Sequence, residues 1–220
     1  MGISAGPSGV SDGLVFQLDA ANLRSYSGSG LTSNGLVGGI GGTLVNGVGF
    51  SSANNGSFIF DGTNDYINVP SLTSISGDFT VTLWFKPSSS NGIVARLIEF
   101  DYINGFWLGR SITTPSYWGG GIRETSGDYG IFLPFADNEW HYLVSVRSST
   151  THYIYRDGIA NFTSNTVSSN VLTSNGLLIG FSGGGFYFNG NISQVQIFNR
   201  ALSATEIQQN FNALRERYNL

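Results

Sequence analysis

The 220-residue chain contains no cysteine, which excludes a disulfide framework, a thiolate zinc site and a cysteine nucleophile. Charge is nearly as scarce. Ten Lys plus Arg and 14 Asp plus Glu make up 11% of the residues, and the net charge is −4. That fraction is less than half of the ~25% of ordinary globular chains. The basic footprint that nucleic acid requires is missing, and nothing suits an anionic membrane surface, so neither is an expected partner. No apolar run approaches the ~18 residues of a membrane span. Met1-Gly2-Ile3-Ser4-Ala5-Gly6-Pro7 has neither the basic nor the apolar region of a secretory signal, so synthesis in a cytoplasm is expected. Proline numbers only five, and no Pro/Ser linker divides the chain, which favours one domain over two.

Small and turn-forming polar residues stand in place of charge: 31 Gly, 29 Ser and 20 Asn. Apolar residues still reach 40% and aromatics 14%, too many for a disordered low-complexity chain. The composition describes a folded protein with many turns and a neutral polar surface.

Short apolar runs with period-two alternation recur between turn clusters, the pattern of an all-β sandwich. Phe79, Val81, Leu83 and Phe85 fall on one strand face, with Thr80, Thr82, Trp84 and Lys86 on the other. Trp140, Tyr142, Val144 and Val146 alternate likewise with His141, Leu143, Ser145 and Arg147. Similar runs cover 13–20, 43–50, 57–61, 65–69, 93–100, 106–111, 130–135, 152–156, 159–163, 177–181 and 186–198. About a dozen strands predict two packed sheets. Asp157-Gly158 between two runs is a hairpin signal. The helix signal lies at the end, where Ser203-Ala204-Thr205-Glu206 forms a capping box and Ile207, Phe211, Leu214 and Tyr218 make one apolar stripe. Arg215 and Arg217 suit the negative end of its dipole, and the helix is expected to dock on the sandwich.

Six segments in order resemble the laminin G-like members of the concanavalin A-like lectin/glucanase jelly rolls. They are Gly13–Asn22, Ser57–Ile67, Phe79–Pro87, Trp140-His141-Tyr142, Tyr155–Gly158 and Ile197–Ser203. The resemblance implies a two-sheet antiparallel jelly-roll sandwich with a short C-terminal α-helix, closed by pairing of the two chain ends. It places an N-terminal arm at 1–12 and the jelly roll at 13–220, including a helix at 203–218. The opening residues through Asn22 are similar to stand-alone versions of this domain in tailed phages, including those of marine cyanobacteria, where they are virion structural proteins. That implies a non-enzymatic capsid, fibre or tail component on the virion surface. Its partners would be other virion proteins, a homo-oligomer and host cell-surface glycans. The alternative is a lectin module whose task is carbohydrate binding.

No cofactor is expected. Relatives hold a structural calcium through an acidic stretch, but 30–42 here lacks any carboxylate, which weakens that site because calcium wants six to eight oxygens. If calcium is bound, Asp61, Asn64 and Asp65, with Asp19 from the first strand, are the candidate ligands, although the three turn positions equally suit Asx-turns.

The sharpest enzymatic hint is Glu99-Phe100-Asp101-Tyr102-Ile103-Asn104, because retaining glucanases of this superfamily use Glu-x-Asp-x-x-Glu with the two Glu side chains about 5 Å apart. Asn104 cannot act as the acid/base, so glycoside hydrolysis is not expected, and Glu99 and Asp101 are assigned to a half-exposed face, paired with Arg96 or Arg110. Gly180-Phe181-Ser182-Gly183-Gly184 matches a nucleophile elbow, but Phe186-Tyr187-Phe188 after it reads as a strand where that motif needs a helix. His141 and His152 are expected on sheet faces. Tyr117 and Trp118 lie in a glycine-rich segment read as a loop, where they stack on a sugar with Asp101, Asn104, Arg110 and Arg123 around it, pack on another subunit, or pack within the molecule.

Overall fold

The computed structural model describes residues 8–72, 74–75, 77–89, 95–101, 105–114, 116–124, 127–135, 138–167, 172–173 and 176–220. Along the chain run β1 (Leu14–Asp19), β2 (Thr32–Ser33), β3 (Gly42–Val45), β4 (Gly49–Ser51), β5 (Ser57–Asp61), β6 (Tyr66–Val69), β7 (Ser74–Ile75), β8 (Phe79–Pro87) and β9 (Arg96–Glu99). There follow β10 (Phe106–Arg110), β11 (Tyr117–Glu124), β12 (Gly127–Pro134), β13 (His141–Ser148), β14 (Thr151–Arg156), β15 (Ile159–Thr166), β16 (Leu172–Thr173), β17 (Leu177–Ile179) and β18 (Asn189–Phe198). Helix α1 (Ala204–Leu214) continues into a 3-10 turn, Arg215–Tyr218.

Two antiparallel sheets of eight strands face each other. The first has the order β15-β14-β13-β8-β18-β5-β4, with β1 also on β18; the second has the order β12-β11-β10-β9-β17-β6-β3-β2. Strand β18 joins the chain ends: its first half pairs with β5 and its second half with β1. The period-two pattern of β8 is realised on both faces. Phe79, Val81, Leu83 and Phe85 enter the core between the sheets, while Trp84 belongs to a second apolar cluster on the outer face with Trp140, Tyr142, Val144 and Val146.

The helix covers that second cluster. Ser203 Oγ accepts the Glu206 N–H at 3.3 Å, and Glu206 Oε2 accepts the Ser203 N–H at 2.8 Å, so both halves of the capping box are formed. The same carboxylate meets Arg200 at 2.6 Å, and this bond with the Ser203 N–H holds its pKa down at about 2. Ile207, Phe211 and Tyr218 are buried, with Phe211 and Tyr218 stacked against Trp84 at 5.6 and 4.2 Å. Arg217 does more than complement a dipole: it meets Asp19 Oδ1 at 3.1 Å and donates to the carbonyls of Asn54 and Gly56, tying the chain's end to β1 and the turn before β5. Ser203→Ala is expected to lower stability by about 1 kcal/mol, and the melting temperature by ~2–4 °C, as followed by thermal unfolding.

Three local expectations are corrected. The 43–50 run is two strands in different sheets, because Asn46 and Gly47 take φ of 63° and 116° and turn the chain from β3 to β4. The 186–198 run begins its strand only at Asn189. The glycine-rich segment read as a loop is strand β11, paired on both sides, with β10 and β12. Asp157-Gly158 forms the expected β14–β15 hairpin, both residues having the positive φ that the turn demands, 51° and 76°.

Candidate functional site

Strand pairing lays one continuous row across the outer face of the second sheet: Gly130, Gly121, Trp107, Glu99, Leu178, Asn68 and Thr43, from β12 to β3. Their strand neighbours Phe106, Leu108, Ile98 and Ile122 point into the core, so this row points away from it. A side chain on Gly121 would place its Cβ 2.7 Å from Trp107 Cζ2, and one on Gly130 would lie 3.2 Å from the same atom. The glycines are therefore the bed on which the Trp107 indole lies flat, leaving it only 3% exposed.

Polar groups anchor that ring. Trp107 Nε1 donates to Asp128 Oδ1 at 2.9 Å, and the Arg96 guanidinium sits 4.2 Å from the ring centroid. Asp128 Oδ2 meets Arg123 at 3.3 Å, and Arg123 lies 3.8 Å from Glu99. Glu99 Oε1 also accepts the Gly183 N–H at 3.2 Å, which joins the loop after β17 to this face. Around Trp107 opens a cleft of about 290 Å³, lined by Arg96, Arg110, Ile112, Asp128 and Phe132. This is close to the lower end of small-ligand pockets, about 300 Å³. Its lining includes the buried Arg96, whose guanidinium lies over Trp107, the buried Arg110, which registers with Trp118, and the exposed carboxylate of Asp128. At the other end of the face, half-buried Tyr66, Phe181 and Tyr187 form a stack with centroid spacings of 5.2 and 4.5 Å. Phe186 links the two ends, its ring lying 5.6 Å from the Arg96 guanidinium.

Of the residues proposed from sequence, Arg110 lines this cleft and Arg123 braces it through Asp128. Asp101 follows β9 and packs against Gly105, where a Cβ would meet its backbone N at 2.5 Å. Asn104 lies outside the described residues. Tyr117 is half-buried at the start of β11. Trp118 is corrected: it is 0% exposed, its ring packed against Phe85 and Phe188 in the core, so no sugar can stack on it. The ion pair of Glu99 is with Arg123, where Arg96 or Arg110 was expected. Sequence reading missed Trp107, Arg96 and Asp128. The available signal was the spacing of glycines on β11 and β12, which empties one sheet face opposite a tryptophan.

The cation-ligand cluster is also redistributed. Asp61 Oδ1 accepts the N–H groups of Thr63 at 2.7 Å and Asn64 at 3.3 Å, an Asx-type turn that holds its pKa below the usual range. Asp65 Oδ2 accepts the Asp61 N–H at 3.2 Å, and burial beside Asp61 raises its pKa. Asp19 is not their partner. It registers with Gln194 on β18 while Asp61 registers with Asn189, about 16 Å apart along a strand, and Arg217 neutralises it. Among the described residues no three His, Cys, Asp or Glu side chains are gathered as a metal would need. His141 Nδ1 lies 3.2 Å from Asp157 Oδ2, and His152 is buried with Nε2 2.9 Å from Ser145 Oγ. Ser182, the elbow candidate, is buried in the loop between β17 and β18, its Oγ accepting the Gly184 N–H.

Residues 61–208 match a laminin G-type family model of the concanavalin A-like lectin/glucanases superfamily, and the chain belongs to that superfamily. No curated protein matches it by sequence. Among solved structures it is similar to the botulinum neurotoxin serotype D ligand-binding domain, with a TM-score of 0.70 and 13% identity over 91% of this chain and 50% of that one. It is also similar to the binding domain of Paraclostridial Mosquitocidal Protein 1, with a TM-score of 0.70 and 17% identity over 91% and 52%. A botulinum neurotoxin type C structure gives a TM-score of 0.69 and 14% identity over 92% and 51%. The chain spans about half the length of these proteins, and at such identities the likeness shows the fold.

Proposed function

We propose that this protein is a non-enzymatic carbohydrate-binding module that takes glycans bearing an acidic sugar on the outer face of its second sheet. The observation that carries this reading is the Trp107 cleft, where the Arg96 guanidinium lies over the indole beside the exposed Asp128 carboxylate, with an aromatic stack further along the same face. Guanidinium groups are matched in geometry to carboxylates, and half-buried aromatic rings suit the apolar faces of sugars. Support also comes from two of the structural relatives. Cell entry of the type C neurotoxin depends on interaction with two ganglioside molecules, and the serotype D domain forms a complex with N-acetylneuraminic acid. A hydrolytic role is disfavoured because Glu99 is buried and committed to Arg123 and the Gly183 N–H.

A glycan array carrying sialylated, uronic-acid and neutral glycans tests the reading. Binding to the acidic members is expected, and Arg96→Ala, checked for an unchanged melting temperature, should weaken it ~10-fold or more. Equal binding to neutral glycans would remove the acidic preference, and no binding to any would remove the reading. The likeness of the first 22 residues to tailed-phage domains supports a place for this module on a virion surface, alongside other virion proteins. Mass spectrometry of purified particles checks that placement, and absence from the particles would end it.

A further inference from the structure

A second cavity, of about 380 Å³, lies on the opposite side of the molecule, between α1 and the outer face of the first sheet. Strand register explains its floor. Gln17 and Thr82 flank Gln196, and Asp19 and Trp84 flank Gln194, so the face changes from apolar to amide-rich on passing from β8 through β18 to β1. The helix covers the apolar half tightly but stands over the polar half with Asn210 and Leu214, leaving the space open.

The lining is unusual for a site with so little charge. Asp19 is neutralised by Arg217 at 3.1 Å and accepts Gln194 Nε2 at 3.1 Å, while Gln196 Oε1 accepts the Thr82 hydroxyl at 3.2 Å. Gln194 is only 4% exposed, and its Oε1 has no hydrogen-bond partner among the described residues. Leaving a buried acceptor unmet is costly, so a group that donates to it is favoured there. Opposite the amides, Val10, Leu14 and Leu214 form an apolar wall. One wall asks for hydroxyl donors and acceptors, the other for a hydrocarbon face, and neither carries net charge. That combination is the complement of a sugar or cyclitol ring, and the volume exceeds the ~30 Å³ share of a single water by about tenfold.

We propose that this cavity is a second binding site, for one neutral polyhydroxylated ring, independent of the arginine cleft. Crystals of the full chain soaked separately in D-glucose, N-acetylglucosamine and myo-inositol test it, together with titration calorimetry. At least one probe is expected in the cavity with a hydroxyl on Gln194 Oε1, and Gln194→Leu should weaken its binding ~10-fold. Should that variant unfold, Ala213→Phe, which adds bulk from the half-buried helix face into the same space, should abolish the binding. Arg96→Ala should leave it unchanged. Ordered water alone in the cavity with all three probes, or affinity unaltered by Gln194→Leu or Ala213→Phe, would overturn the proposal.

Discussion

Trp84→Ala is expected to lower the unfolding free energy by about 4 kcal/mol, the range of aromatic deletions from a well-packed core. On a domain of this length that is a fall of roughly 8–16 °C in melting temperature. Trp84 is fully buried although it points out of the sandwich, because Tyr218 and Phe211 stack on it and Tyr142 lies 4.9 Å away. Removing the indole takes away the common surface on which both helix aromatics rest. Hydrogen exchange should therefore accelerate across α1 before it accelerates in β8, and urea unfolding should give the loss in stability. A loss under about 1 kcal/mol would show that the helix is held by its cap and by Arg217 rather than by this stack.

Acidification should reveal His152. The ring is buried on β14 with Ser145 as its side-chain partner, and burial lowers its pKa from 6.5 to about 4, opposed weakly by a hydrogen bond to the Tyr129 backbone. Its folded pKa lies below its unfolded one, so the unfolded chain takes up the proton first as pH falls. Stability from this group is thus intact above about pH 6.5, declines between 6.5 and 4, and is flat below 4, where both states carry the proton. The full decline is about 3 kcal/mol. Glu206 acts in the same sense in a lower window: its depressed pKa contributes stability that is lost only as pH falls from the ordinary carboxylate range toward about 2. Chemical denaturation of wild type and His152→Gln at pH 7, 6, 5 and 4.5 separates the two. The variant should show a much shallower decline, and parallel curves would remove His152 as the cause.

Much of the architecture was legible because its signals are local. Period-two alternation placed β8 and β13 and assigned their faces, Asp157-Gly158 marked a hairpin, and Ser203 with Glu206 marked the helix start. Each of these depends on residues within a few positions of one another, where backbone sterics and hydrogen bonding decide. The glycine-rich stretch before Ile122 shows where that reasoning stops. Three consecutive glycines look like a loop, and only their neighbours in the sheet explain why a strand has no side chains there: the Ile131 carbonyl at Gly119, the Leu108 side chain at Gly120 and the Trp107 indole at Gly121. Trp118, beside them, then falls on the inward face, and a residue read as a sugar platform becomes core.

The composition and order of the chain by themselves determined an all-β sandwich with a neutral surface, a capped C-terminal helix and the absence of cysteine chemistry. Tertiary structure decided which charges meet. Arg217 pairs with Asp19 from the opposite end of the chain, Arg123 braces Glu99 and Asp128 from three different strands, and Arg96 from β9 comes to lie over Trp107 of β10. The physical reason is that a strand's own sequence specifies which side chains share a face but not which strand lies next to it. Pairing partners are chosen by packing over the whole molecule, and a binding surface made across several strands exists only once that choice is made.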